Sequence, residues 1–256
     1  MKESRRASLG FLLSALVVLS ACSSHYAVTR VERTRIVVDS RYDRQPDAQA
    51  QTFIAPFKQQ VDSVMGPVVG TAARDMNADR PESLLSNLLP DILMWAAAKY
   101  GEQPDLGVYN IGGIRAALSK GPVTYGDVLD IAPFENKICF ITLSGDKLLE
   151  LFAQIARRGG EGLSHGVQLV ITADGKLVSA MVNGQPIDPT RSYRLTTIDY
   201  LAQGNDGMTA FKAGTNLNAP ADESNNSRYI IIDYFRQLQA QGKSVDATLE
   251  DRVKVQ

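Results

Sequence analysis

Two dipeptides, Asp174-Gly175 and Asn183-Gly184, lie among short apolar runs and limit the possible folds more than any other feature. Both accept the positive φ angles of tight two-residue turns, so they predict hairpins between antiparallel strands. A purely parallel sheet has no place for such turns, because its strands need long crossovers. Strand-like runs are predicted over residues 68–73, 106–109, 138–143, 167–171, 177–182 and 193–198, with a closing strand over 249–255. An edge strand is expected over 28–38, where polar residues partly alternate with valines.

Between these runs the apolar period changes to that of a helix. Phe53, Ile54, Phe57, Val61, Val64 and Met65 share one face of a helix that Pro46-Asp47 opens and Gly66-Pro67 stops. Leu84, Leu85, Leu88, Ile92, Trp95 and Ala96 form the buried face of a second, which contains Pro90 and should kink or start late there. Short helices are expected over 125–130 and 229–241. Ser144 can cap another that buries Leu148, Leu149, Phe152 and Ile155. Interleaved helices and strands with hairpins give an α+β fold, a mixed β-sheet with packed helices.

The first 21 residues read as an export signal. Lys2, Arg5 and Arg6 precede a short apolar run that ends in Leu19-Ser20-Ala21-Cys22. This box resembles the bacterial lipobox, in which the Cys takes lipid. Residues 22–27 then form a lipid-anchored tether, and residues 28–256 form the folded domain. The expected location is the bacterial cell envelope. Lipidation would use Cys22 and leave Cys139, in an apolar strand-like run, without a partner.

Composition excludes several function classes. Hydrophobic residues are 44% and charged residues 21%, which rules out wholesale disorder. A net charge of −1 leaves no basic excess, which argues against a protein that coats a nucleic-acid polymer. The only histidines are His25, in the tether, and His165, too few for a two-metal hydrolytic centre. Gly162-Leu163-Ser164-His165-Gly166 matches the G-x-S-x-G pattern, but a strand follows the Ser where a nucleophile elbow needs a helix. No phosphate-binding G-x-x-x-x-G-K-[ST] or dinucleotide G-x-G-x-x-G is present.

Three short blocks remain. Asn110-Ile111-Gly112-Gly113-Ile114-Arg115 follows a strand and can aim an amide, backbone N–H groups and a guanidinium at an anion. Ala132-Pro133-Phe134-Glu135-Asn136 sets an aromatic ring just before a strand. Tyr200-Leu201-Ala202-Gln203-Gly204-Asn205-Asp206-Gly207 sets a ring and an acid in a Gly-rich loop after one. Taken singly, a turn glycine, a core Phe and a solvated Asp would read the same way.

In this order the blocks resemble the C-terminal domain of the 5′-nucleotidase family. The likeness also takes in Glu82-Ser83, Asn87-Leu88, Val123-Thr124-Tyr125-Gly126-Asp127, Leu143-Ser144-Gly145 and Glu250-Asp251-Arg252, and runs from Val28 to Val255. The resemblance implies a nucleotide-binding pocket in which Phe134 and Tyr200 sandwich the base. The second ring is more usually Phe. Asp206 would accept from the ribose hydroxyls, Asn110 would read the base edge or sugar, and Arg115 would pair with phosphate. A further Arg is implied before the second helix, and Arg80, one residue off the family spacing, is nearer than Arg74. Gly166 would lie beside the base, next to His165 in place of a smaller residue.

The family's catalytic partner is a metallophosphatase domain, absent from this sequence. The resemblance therefore implies nucleotide recognition here, with hydrolysis requiring a metallophosphatase on a separate chain. No cofactor is expected in this chain, and the divalent metals would belong to that partner. The alternative is a non-catalytic envelope lipoprotein that captures nucleotides or nucleosides. Mass spectrometry of protein taken from its native envelope should find lipid on Cys22 and no Cys22–Cys139 disulfide.

Overall fold

The computed structural model describes residues 26–44 and 46–256. The export signal and Cys22 lie outside the described residues. The chain divides into two units, residues 1–52 and 53–256. In the first, residues 26–38 are exposed and form no strand, followed by a turn over 39–44. The edge strand expected at 28–38 is not made, because alternation stabilises a strand only when a sheet accepts its backbone groups.

The elements, in chain order, are α1 (Ala48–Met65), β1 (Val68–Ala72), α2 (Leu84–Ala96), β2 (Leu106–Tyr109), β3 (Gly121–Thr124), α3 (Tyr125–Ile131), β4 (Ile138–Ser144), α4 (Gly145–Arg157), β5 (Gly162–Leu163), β6 (Val167–Ile171), β7 (Leu177–Val182), β8 (Gln185–Pro186), β9 (Ser192–Ile198), α5 (Asp199–Ala202), β10 (Thr215–Asn218), α6 (Ser227–Ala240) and β11 (Val253–Val255). The fold is α+β, as expected.

Asp47 opens α1 by accepting from the N–H groups of Gln49 and Ala50. Its predicted apolar face is not buried. Phe53, Ile54, Phe57, Val61 and Val64 are all more than half exposed. Helix α2 starts at a capping box formed by Ser83 and Ser86. It starts at Leu84 and includes Pro90, so of the kink or late start expected the late start is not seen, and Pro90 is buried. Trp95, expected inside, is part exposed and packs edge-on against Tyr234 of α6, with ring centroids 5.1 Å apart. Ser144 does sit at the N-cap of α4, but its side chain makes no cap hydrogen bond.

The central sheet has the order β10-β4-β9-β2-β5. Strands β4 and β9 pair antiparallel from Ile138↔Ile198 to Ser144↔Ser192. Strand β2 runs parallel to β9, and β5 antiparallel to β2 through Tyr109↔Gly162. A second sheet, β11-β6-β7-β8, contains both predicted hairpins, though at Asp174-Gly175 only the glycine takes a positive φ, 80°, and the strands are joined by the longer link 172–176. Asn183-Gly184 has positive φ at both residues, 51° and 74°, and leads into the short β8 rather than directly into β9. A third, two-stranded sheet pairs β1 with β3. The core between α2, α4, α6 and the central sheet includes Leu85, Ile92, Phe140, Phe152 and Phe235, all fully enclosed.

Cys139 lies in this core on β4, and burial pushes its thiol up to about 12, so it acts as an inert small hydrophobe. The fold-holding role of the Ser83 cap is testable. Its hydroxyl also accepts from the N–H of Asp79 at 2.9 Å. Ser83→Ala should lower stability by about 1–2 kcal/mol in urea denaturation, with an unchanged m-value.

Candidate functional site

The strand directions place four loops at one end of the central sheet. Parallel β2 and β9 both finish there, and antiparallel β4 and β5 both begin there. Asn110 therefore follows β2, Tyr200 and Asp206 follow β9, Phe134 and Asn136 precede β4, and Arg158 and Glu161 precede β5. Loops gathered on such a rigid edge are where binding groups concentrate. A cavity of about 250 Å³ opens there, lined by Asn110, Gly112, Gly113, Phe134, Asn136, Arg158, Tyr200 and Asp206.

Each wall has a local cause. Asn110 leads into a tight turn, Ile111–Gly113, and its side chain lies so close to Gly113 that a Cβ there would come within 2.7 Å of its Oδ1. The Pro133–Asn136 loop is pinned by the start of α6. Arg228 donates to the Pro133 carbonyl at 2.9 Å, and the Ser227 N–H donates to that of Asn136 at 2.8 Å. Asp199 receives the N–H groups of Lys137 and Tyr200, which joins the β9 loop to the start of β4. The loop then turns through Asp206, whose φ of 54° falls in the left-handed region that Asp tolerates better than most residues.

Asp206 is the electrostatic centre. Its Oδ1 accepts from the Tyr200 hydroxyl at 2.9 Å, and its Oδ2 accepts from the Asn110 amide at 2.9 Å. The Arg158 guanidinium faces Oδ2 at 3.5 Å. The hydrogen bond to Asp206 raises the Tyr200 pKa, because the carboxylate favours the neutral phenol. Asn110 is buried, and its Oδ1 has no partner. Phe134 and Tyr200 are 48% and 36% exposed, and both line the cavity.

Four of the residues expected from sequence, Asn110, Phe134, Tyr200 and Asp206, thus line one cavity. Three do not. Arg115 is exposed beyond the loop, donating to the Gly112 carbonyl at 3.2 Å. Arg80 is held away from the cavity by the Gly160 carbonyl and the Glu161 carboxylate. Gly166 turns at φ 85° against Asn183, in the link between the two larger sheets. The neighbouring His165 is exposed and meets Glu250 at 3.0 Å, so it does not shape this cavity. Ser164, of the rejected nucleophile pattern, is buried and accepts from the Gly107 N–H at 2.8 Å.

Sequence reasoning missed Asn136, Arg158 and Glu161. Asn136 lay inside the aromatic block, unremarked. Arg158 follows the last turn of α4, where a basic residue is already accounted for by the helix dipole. Glu161 stands among glycines, with no local apolar pattern to mark its burial. The only available signal was the i,i+3 spacing of Arg158 and Glu161, which are ion-paired here. Among the described residues no three His, Cys, Asp or Glu side chains come together as a metal site, and no helix is long and apolar enough to cross a membrane.

The comparisons agree with this architecture. Protein UshA of Yersinia enterocolitica serotype O:8 / biotype 1B is 29% identical over 164 residues, covering 63% of this chain and 30% of that protein. Endonuclease YhcR of Bacillus subtilis (strain 168) is 34% identical over 166 residues, covering 62% of this chain and 13% of that protein. Among solved structures, the 5′-nucleotidase precursor from Thermus thermophilus superposes with a TM-score of 0.69 at 27% identity, over 81% of this chain and 43% of that one. The chain spans less than half the length of each of these proteins. The family model described as "5'-nucleotidase, C-terminal domain" matches residues 68–213, a span that holds all eight cavity residues, and the chain belongs to that family.

Proposed function

We infer that this chain is the nucleotide-recognition part of a 5′-nucleotidase-type phosphoesterase system, anchored at the bacterial cell envelope through lipidated Cys22 and completed by a metallophosphatase on another chain. The observation that carries the recognition reading is a cavity that combines two aromatic walls, an acceptor carboxylate and side-chain amides. Its volume is below the roughly 300–1,000 Å³ of sites that enclose drug-sized ligands, which suits a base and part of a sugar rather than a whole nucleotide.

In this reading the base stacks on Phe134 and Tyr200, and the sugar lies over Asp206. The phosphate end projects out of the cavity toward Arg115, which is exposed and fixed beside Gly112. A phosphate presented outward is accessible to metals carried by a second chain. The exposed apolar row of α1, immediately before the family-matched segment, is surface that such a partner would bury.

Co-purification from the native envelope, followed by a phosphatase assay, tests the partnership. The recovered complex should release phosphate from a nucleoside monophosphate, and the chain alone should release none with or without divalent metal. Activity of the homogeneous chain that depended on one of its own residues would overturn the division of labour. The stacking role is read by calorimetry. Phe134→Ala and Tyr200→Ala should each weaken purine nucleotide binding by about 1–3 kcal/mol while the melting temperature stays close to that of the parent. An unfolded variant, or an unchanged affinity in a folded one, would make that ring part of the core or scaffold instead.

A further inference from the structure

Asp206 presents a carboxylate with about four acceptor directions, two on each oxygen. Three of them face donors from the protein itself. On Oδ2, the Asn110 amide occupies one at 2.9 Å, and the Arg158 guanidinium covers the other from 3.5 Å. On Oδ1, the Tyr200 hydroxyl occupies one at 2.9 Å. Arg158 cannot swing away freely, because its Nε is paired with Glu161, whose side chain has no exposed surface. Asn110 is itself buried. The Tyr200 ring is the one of the three that a neighbouring aromatic residue could replace without disturbing the rest, since Phe has the same ring and no hydroxyl.

We propose that the Tyr200 hydroxyl is a specificity-determining group that leaves Asp206 a single open acceptor direction, so the pocket reads one sugar hydroxyl rather than the 2′,3′ pair. The proposal rests on the nucleotide reading of this cavity. A phenol is a better donor than an alcohol, and its contact with Asp206 is already made before the ligand arrives. A second sugar hydroxyl would have to break that bond to form its own, with no net gain. Either the 2′ or the 3′ hydroxyl can use the remaining direction, so losing one of them is tolerated while losing both is not.

The test is a calorimetric series with the full chain and adenosine, 2′-deoxyadenosine, 3′-deoxyadenosine and 2′,3′-dideoxyadenosine. In the parent protein the first three should bind within about threefold of one another, and the dideoxy compound about tenfold or more below them. Tyr200→Phe frees the second direction and keeps the ring. In that variant each monodeoxy compound should fall about tenfold below adenosine. Equal discrimination in parent and variant overturns the proposal, as does a parent that already loses tenfold on removal of either hydroxyl. A variant that fails to fold, judged by thermal melting, leaves the parent series as the deciding measurement. If neither protein binds adenosine at all, the nucleotide reading falls and takes the proposal with it. If adenosine binds and the deoxy pattern differs from that expected, the proposal alone falls.

Discussion

Glu161 places its carboxylate where no part of the side chain is exposed, and three donors from three segments meet it there. Arg80 reaches it from the approach to α2, Arg158 from the end of α4, and the N–H of Ile111, in the Gly-rich loop, donates at 2.6 Å. A buried charge left uncompensated costs about 3–5 kcal/mol, so the donors that meet Glu161 hold the three segments to one arrangement. That arrangement is the end of the cavity where Asn110 and Arg158 stand. Sheet pairing brings the loops to the same edge, and the Glu161 charge fixes how they lie against each other.

The dependence continues from Glu161 into the site. Arg158, held at Nε, turns its remaining guanidinium toward Asp206, while Ile111 holds the loop that aims the Asn110 amide at the same carboxylate. Tyr200 completes the set from the β9 loop. The walls are therefore cross-braced by the protein's own groups, an arrangement that lowers the ordering cost of binding. The net charges nearly balance: Arg158 offsets Asp206, and Arg80 offsets Glu161. In the proposed reading, such a pocket would take a neutral base and sugar, and the exposed Arg115 beyond it would meet the phosphate.

A comparable tether closes the chain at the other side of α2. Arg252 is buried just before β11, pairs with both oxygens of Asp91 at 3.0 and 2.8 Å, and donates to the Leu163 carbonyl. It joins the last strand of the second sheet to α2 and to β5 of the central one. Two arginine clusters thus flank β5, a strand of only two residues that has little pairing of its own. Short strands of this kind hold their place through side chains more than through their ladder.

The sequence by itself determined the element types, because their causes are local. The periods of the apolar residues from 48 onward and the Asn183-Gly184 turn act within a few residues, and the structure repeats them, whereas the alternating run at 28–38, with no sheet to accept it, forms no strand. It also identified the blocks that bear Asn110, Phe134, Tyr200 and Asp206, since glycine-rich loops after strands and an aromatic loop just before one are local features too. What only the tertiary structure decided was which charges share a site. Arg80, Arg115 and Arg158 look alike in the chain, yet one braces Glu161, one stands outside and one lines the cavity. The spread of partners across the sequence is the reason: Asp206 is 96 residues from Asn110, and Glu161 is 81 from Arg80. Pairings at that separation follow from strand order and direction, which no local pattern encodes. The same holds for α1, whose apolar period is legible but whose exposure depends on what packs against it.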